Sequence, residues 1–172
     1  MEYINLKSLS INITDGVHNT VLDDKDGKCY LLSCKNIKNN KINYDSSDRK
    51  INISTLNGLR KRSKLEKNDI LITTVGTIGE TAIIKESNPA YEFQRSVGII
   101  KINPKLVNIR YVFYYLQSNV AKNVISSKIK GAVQKCLFLE DIKMLEIPMV
   151  ERNLQQHIVD IIPKEMILSE IM

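Results

Sequence analysis

The chain has 172 residues, of which 43% are hydrophobic and 26% charged, a balance typical of one soluble globular domain. No apolar run is long enough to span a bilayer and the first ten residues lack a signal-peptide core, so we expect a cytoplasmic protein without membrane contact. The net charge of +6 favours a polyanionic partner, and three cysteines without a Cys-x-x-Cys pair argue against a disulfide framework and a zinc site.

The first half of the chain has the pattern of short strands separated by loops. We predict five strands from β-branched and alternating residues, at Tyr3–Leu6, Tyr30–Ser33, Asp69–Thr74, Thr81–Lys85 and Ser96–Ile102. Polar residues predict a loop over Thr14–Lys28, and Gly76–Gly79 predicts a turn. Ile53–Ser63 predicts a short helix capped by Ser54.

The second half is dominated by helical periodicity. Apolar residues recur every four positions at Val112, Leu116, Val120 and Val124, which predicts one amphipathic helix over Asn108–Ile129. We expect Asn108 to cap its N-terminus and the stripe of Val112, Leu116 and Val120 to lie in the core.

The C-terminal region predicts a helical turn at Phe138–Met144, a strand at Leu145–Met149 and a last helix over Arg152–Ile162. Pro163 is expected to kink or end that helix. The elements together predict an α+β fold, in which a curved, mostly antiparallel sheet with a few helices precedes a C-terminal helix.

The sequence lacks the motifs of the common enzyme classes. It contains no P-loop, no Gly-x-Ser-x-Gly and no Asn- or Asp-Pro-Pro-aromatic loop of an adenine methyltransferase. His18 and His157 lie far apart and belong to no metal-spaced cluster. Glu66 and Asp69 crowd together, but no upstream acidic partner completes a nuclease-type site. We therefore expect a non-catalytic chain without a cofactor or metal of its own.

Short segments in a fixed order resemble one protein family. They are Asp15-Gly16-Val17-His18, Leu32–Ile37, Leu65–Gly79, Gln94-Arg95-Ser96-Val97, Tyr114–Ser118, Gly131–Gln134, Leu145–Pro148 and Gln155–Val159. Each segment is weak alone, but the ordered set, which covers nearly the whole chain, is similar to a target-recognition domain of type I restriction–modification specificity subunits.

The resemblance implies a protein that reads one half of a bipartite site in double-stranded DNA. It implies partners that carry the chemistry: methyltransferase subunits that use S-adenosylmethionine, and restriction and motor subunits that use ATP and Mg. It divides the chain into a recognition domain, residues 1–150, and the start of a spacer or dimerisation helix, residues 151–172. The family's usual subunit has two such domains, so this sequence corresponds to half of one.

Two glutamines and an arginine are the candidate base-reading residues. Gln pairs with adenine and Arg with guanine through two hydrogen bonds in the major groove, which makes Gln94 and Arg95 candidates. An ion pair between Arg95 and Glu92 is the alternative. Gln134 follows the long helix in a basic loop and is expected to reach a base edge or the DNA backbone.

Phosphate contacts are expected from basic side chains and from one glycine-flanked hydroxyl. The candidates, besides the base-reading residues, are Lys35, Asn36, Arg60, Arg62, Lys64, Thr77, Lys128 and Lys130. A plain hairpin turn at Thr77 and a solvated face for the basic run from Arg60 to Lys64 are the alternatives. His18 is expected to make either a structural hydrogen bond or a DNA contact.

The C-terminal segment is the candidate surface for dimerisation or methyltransferase contact. Its apolar residues are Leu154, Ile158, Ile161 and Ile162, followed beyond Pro163 by Met166, Ile167, Ile171 and Met172. We expect a homodimer through this segment, unless it folds back on its own domain.

Two other functions stay open. One is single-stranded nucleic acid or RNA binding, since Gly76–Gly79 is faintly similar to a KH-domain loop, although that loop should join two helices. The other is a regulatory half-subunit that binds methyltransferase without reading DNA.

Overall fold

The computed structural model describes the backbone of residues 1–171 and the side chains of residues 1–162. The strands are β1 (Glu2–Asn5), β2 (Ser10–Asp15), β3 (Cys29–Leu32), β4 (Ile37–Lys38), β5 (Lys41–Ile42), β6 (Lys50–Ile51), β7 (Ile70–Thr73), β8 (Thr81–Ile83), β9 (Tyr91–Phe93), β10 (Val97–Ile102) and β11 (Glu146–Met149). The helices are α1 (Leu6–Leu9), α2 (Ile53–Ser63), α3 (Ile109–Gln117), α4 (Asn119–Lys128), α5 (Leu139–Lys143) and α6 (Arg152–Ile171), with a short 3-10 helix at Cys34–Asn36. The α+β fold class is confirmed.

A four-stranded antiparallel sheet, in the order β2-β10-β7-β8, forms the centre of the molecule. Side chains alternate across it: Ile70 and Ile72 of β7 pack in one core cluster, whereas Leu71 packs in another. The same alternation places Ile100 and Ile99 of β10 on opposite faces. Burial of both faces explains why these strands are continuous apolar runs in the sequence.

A second, three-stranded sheet has the order β6-β3-β9 and contains a parallel pair. Tyr30 of β3 aligns with Tyr91 of β9, and Leu32 aligns with Phe93. No strand was predicted at β9, which is short, follows Pro89 and has a glutamate, Glu92, at its centre. Burial of β9 against β3 overrides these signals and places this carboxylate in the interior.

The two ends of the domain pair with each other. Strand β1 runs antiparallel to β11, with Tyr3 opposite Pro148, and the Leu6 amide donates to the Leu145 carbonyl over 2.7 Å. Helix α6 leaves from this junction and packs on α3, where the Gln155 side chain accepts a hydrogen bond from the Asn108 amide at 2.9 Å. The pairing ties the start of α6 to the body of the domain.

The single long helix predicted over Asn108–Ile129 is instead two helices, α3 and α4. They meet at Ser118, whose extended backbone ends α3 and whose hydroxyl accepts from the Ala121 amide over 3.2 Å as the N-cap of α4. The prediction that Val120 lies in the core is therefore wrong, since its side chain is 63% exposed. Serine is a favourable N-cap, so Ser118 can begin a new helix. The buried face of α4 is formed by Ala121 and Ile125 and does not continue the apolar stripe of α3.

Other elements also differ from the sequence prediction. Helix α2 has the predicted bounds, but Asn52, not Ser54, caps it by accepting from the Thr55 amide at 2.8 Å. Strands β2, β4, β5 and β6 and helix α1 were missed. Helix α6 continues to Ile171, so of the two effects expected of Pro163, a kink or an end, the end is wrong. Over the described residues, no helix is both long and apolar enough to cross a membrane.

The break at Ser118 predicts opposite outcomes for two residues of the supposed stripe. Leu116 is fully buried, so Leu116→Ala should lower the free energy of unfolding by about 2–5 kcal/mol. Val120→Ala removes an exposed side chain and should change it by less than about 0.5 kcal/mol. Urea denaturation of both variants measures this; a comparable loss in both would support one continuous helix.

Candidate nucleic-acid interface

A cleft of about 610 Å³ opens at the ends of β2, β7 and β9, opposite the segment that leads into α5. We call it the cleft; its lining residues are Asp15, His18, Thr74, Val75, Gln94, Arg95, Ser96, Gln134, Cys136, Leu137, Phe138, Leu139 and Glu140. It thus brings together the three candidate base-reading residues from segments that are distant in the sequence.

The segment from Gln94 to Ser96 is fixed through its backbone. The Gln94 amide donates to the Leu32 carbonyl over 2.8 Å, and the Arg95 amide donates to the Val17 carbonyl over 3.0 Å. On the third side, the Thr74 amide donates to the Ser96 carbonyl over 2.9 Å. The backbone is therefore held from three directions while the Gln94 side chain is half-buried and the Arg95 side chain is exposed.

Arg95 and Glu92 do not pair, which rules out the alternative drawn from the sequence. Glu92 is fully buried and accepts hydrogen bonds from the Ser63 hydroxyl and, over 3.0 Å, from the Phe93 amide. Within the described residues, the Arg95 guanidinium forms no ion pair. It is available to a ligand in the cleft.

Gln134 reaches the cleft from a closed loop. Lys130 and Cys136 exchange two backbone hydrogen bonds of 3.0 and 2.8 Å, and the Lys130 ammonium binds both oxygens of Asp141 at 2.9 and 3.0 Å. Gly131 has φ +115, and a Cβ there would lie 2.1 Å from the Gln134 carbonyl oxygen, so the loop requires glycine. Lys130 thus anchors the loop, whereas Lys128 ends α4 outside the cleft lining.

Thr77 lies in the turn that joins β7 to β8. Its side chain is exposed, its carbonyl accepts from the Thr73 hydroxyl, and the Gly79 amide donates to the Thr73 carbonyl over 3.0 Å. These bonds are those of a hairpin turn, and Thr77 does not line the cleft. Since the turn joins two strands and not two helices, the similarity to a KH-domain loop is not supported.

The three candidate cations at the end of α2 have different surroundings. Arg60 is half-buried and donates to the Asn88 side chain. Arg62 binds Asp15 over 2.8 Å and the Gly16 carbonyl over 3.1 Å. Lys64 is exposed, in a left-handed C-cap. Two of the three cations are thus bound to other groups of the domain.

Lys35 and Asn36 lie outside the cleft. Asn36 is 3% exposed. Its side-chain oxygen accepts from the Ser33 amide, and its side-chain nitrogen donates to the Asn43 carbonyl and to Asp48; each distance is 3.0 Å. Lys35 pairs with Asp48 at 2.9 Å. Asn36 therefore stabilises its own loop, and its amide is not free to contact DNA.

The crowded carboxylates that follow α2 have a structural partner. Lys101 binds Asp69 at 2.6 Å and Glu66 at 3.3 Å, and the side chains of Lys101 and Asp69 are 11% and 6% exposed. Burial raises the pKa of the Asp69 carboxyl, while the bond to Lys101 opposes the rise. No group of three His, Cys, Asp or Glu residues could hold a metal ion in the part of the chain that the structure describes.

Two features of the cleft were not found from the sequence. Phe138 is 51% exposed in the cleft wall, between the buried Leu137 and the half-buried Leu139. No sequence pattern separates it from its apolar neighbours. Asp15 binds both Arg62 and, over 2.7 Å, His18; this gives His18 the structural hydrogen bond that was one of its two expected roles.

Some apolar residues of α6 pack against the domain, and others are exposed to solvent. Ile158 packs against the core, and Ile162 is half-buried. Leu154 and Ile161, two helical turns apart, are 47% and 39% exposed. The side chains of Met166, Ile167 and Ile171, and all of Met172, lie outside the described residues.

Comparison with known proteins identifies one family. A model described as "Type I restriction modification DNA specificity domain" matches residues 17–165. The type I restriction enzyme EcoBI specificity subunit of Escherichia coli is 33% identical over 99 residues, which make up 58% of this chain and 21% of that subunit.

Solved structures share the fold. The S subunit of a type I restriction-modification system from M. genitalium gives a TM-score of 0.62 at 18% identity, over 92% of this chain and 37% of that one. The HsdS subunit from Thermoanaerobacter tengcongensis gives 0.63 at 13% identity, over 95% and 36%. The chain thus spans about a fifth of the curated relative and little more than a third of the solved subunits.

The buried Glu92 predicts a pH-dependent stability. Burial raises the pKa of its carboxyl above the ordinary 4.5, so the folded protein retains a proton that the unfolded chain releases. The contribution of Glu92 to the free energy of unfolding should therefore fall as pH rises from about 4.5 towards the raised pKa. Glu92→Gln cannot ionise, and its stability relative to the wild type should increase over this range.

Denaturant titrations at several pH values between about 4 and 8 measure the difference. The exposed Glu2→Gln is the matched control and should run parallel to the wild type. Parallel curves for Glu92→Gln would show that the pKa of this carboxyl is the same in the folded and unfolded states.

Proposed function

The chain belongs to the type I restriction modification DNA specificity domain family, and on that premise we propose that it recognises duplex DNA sequence without catalysing a reaction. The cleft is the proposed base-reading site. The module would read one half of a bipartite target, as the resemblance of its motifs implies.

One observation carries the proposal: Gln94, Arg95 and Gln134 line the same cleft. These side chains are the ones that complement adenine and guanine edges in the major groove. The backbone of Gln94 and Arg95 is held from three sides and the Gln134 loop is closed at its base. Such rigidity lowers the entropy lost when the side chains bind, which favours discrimination between sequences.

Phosphate contacts are proposed for exposed cations outside the cleft. Lys64 is exposed and Lys128 is half-exposed, and neither forms an ion pair within the described residues. Lys35 and Lys130 are already paired with carboxylates, so we expect smaller contributions from them. Contacts of this kind add affinity without sequence information and make binding sensitive to salt.

The catalytic partners are part of the same proposal. We propose that residues 1–150 form the recognition domain and that 151–172 begin a spacer helix, which would present the module to methyltransferase and restriction subunits in the cytoplasm. S-adenosylmethionine, ATP and Mg would be bound by those partners. The chain itself offers no metal cluster among its described residues.

Self-association through α6 is a second element of the proposal. Leu154 and Ile161 expose apolar surface on one side of the helix while Gln155 and Val159 are buried against the domain. A second copy of the helix would cover that surface and relate two clefts by a two-fold axis.

Sequence-specific binding can be tested with the full chain. Repeated selection from a random duplex library should enrich a common sequence. Gln94→Ala and Gln134→Ala should each weaken binding to the enriched duplex by about 1–3 kcal/mol and leave a scrambled duplex unaffected. Fluorescence anisotropy at two salt concentrations measures both affinities.

Asn57→Ala, which removes an exposed amide of α2 outside the cleft, is the matched control and should bind as the wild type does. If no sequence is enriched, and methyltransferase subunits still bind the chain, the regulatory function without DNA reading replaces the proposal. Preference for single-stranded DNA or RNA would likewise contradict it.

The dimer makes a separate prediction. Leu154→Asp places a charge on the exposed face of α6 and should convert dimers to monomers at tens of micromolar protein, as measured by sedimentation velocity. Ile11→Asp, at a 69% exposed position on β2, is the control and should remain dimeric. A monomeric wild-type chain would contradict the dimer while leaving DNA recognition untouched.

A further inference from the structure

We propose that Asp15 and Arg62 are positioning residues, which hold the base-reading segment at Gln94 and Arg95 in place, and that Arg62 is not a phosphate contact. The inference rests on the proposed function of the cleft. It assigns a role to the Asp15-Gly16-Val17-His18 motif, which the DNA-reading residues leave unexplained.

Arg62 is committed to the loop that follows β2. Its Nη2 donates to Asp15 Oδ1 over 2.8 Å and its Nη1 to the Gly16 carbonyl over 3.1 Å. The other Asp15 oxygen, Oδ2, bonds His18 Nε2 at 2.7 Å. Both terminal nitrogens of the guanidinium and both oxygens of the carboxylate thus have protein partners, which orient the Arg62 side chain towards this loop.

The loop that Arg62 holds lies directly against the base-reading segment. A Cβ on Gly16 would come within 2.1 Å of the Phe93 carbonyl oxygen and 2.4 Å of that of Gln94, so this approach requires glycine. The Val17 amide donates to the Phe93 carbonyl over 2.7 Å, and the Arg95 amide donates to the Val17 carbonyl over 3.0 Å. A shift of Gly16 and Val17 would therefore move the backbone of Gln94 and Arg95.

The ion pair between Arg62 and Asp15 also balances charge at the cleft. Asp15 lines the cleft with a side chain only 13% exposed, and its carboxylate would repel DNA phosphates if it were unpaired. Arg62 is 53% exposed, so an ion pair of this kind adds little to the stability of the fold. Its loss should thus act on recognition more than on folding.

Arg62→Lys separates positioning from phosphate binding. Lysine keeps the positive charge that a phosphate contact needs but cannot donate from two nitrogens to Asp15 and Gly16 together. We expect the preference for the enriched over the scrambled duplex to fall about tenfold, with the salt dependence of binding unchanged. Arg62→Ala should lose at least as much preference.

Lys61→Ala is the control, because it removes a neighbouring exposed charge of α2 that has no ion pair within the described residues. It should leave the preference between duplexes unchanged. Asp15→Asn combined with Arg62→Gln keeps hydrogen-bonding groups without charges and should recover part of the preference lost in Arg62→Ala. Thermal melts of all variants identify any that fail to fold.

The result that would overturn the inference is a phosphate-contact signature. In that case Arg62→Lys would bind as the wild type does, and Arg62→Ala would lose affinity equally for both duplexes, with a salt slope reduced by about 0.9. A wild-type chain without preference for any duplex would instead contradict the proposed function. A preference that survives Arg62→Lys and Arg62→Ala unchanged would reject the positioning role alone.

Discussion

The structure depends on the close packing of three backbone segments where Gly16 meets the end of β9. Gly16 lies too near the Phe93 and Gln94 carbonyl oxygens for any side chain, and this approach lets Val17 accept the Arg95 amide. Leu32 accepts the Gln94 amide on the other side, so the two sheets are joined through one short segment. A segment whose backbone polar groups are satisfied inside the protein can present its side chains to a ligand in a defined direction.

The cations that hold the loops around the cleft are distinct from the candidate base-reading residues that line it. The Lys130–Asp141 pair and the Arg62–Asp15 pair bind loops to the domain, and each uses a cation that the sequence alone suggests for DNA. Gln94, Arg95 and Gln134 keep their side chains at the cleft. Recognition sites need such supporting contacts because a base-edge hydrogen bond tolerates only small displacements.

Two buried carboxyl groups, those of Glu92 and Asp69, need partners inside the protein. Glu92 lies in the centre of a strand and is stabilised by Ser63 and the Phe93 amide, although burial still raises the pKa of its carboxyl. Asp69 gains a buried partner in Lys101. An unpaired charge would be costly at either buried site. The bond from Ser63 to Glu92 links α2 to β9, and the ion pair of Asp69 with Lys101 links the residue before β7 to β10.

The sequence by itself determined the α+β class, the bounds of α2, three of the four central strands and the family motifs, because apolar periodicity and cap residues act over a few neighbours. It also made Gln94, Arg95 and Gln134 the candidates for base reading, since their hydrogen-bonding groups follow from residue type. Only the tertiary structure decided which candidates meet. Asn36 is buried, Arg62 and Lys130 are paired with carboxylates, and the cap at Ser118 leaves Val120 exposed. These outcomes depend on contacts between residues far apart in the chain, such as Arg62 with Asp15, which no local pattern encodes.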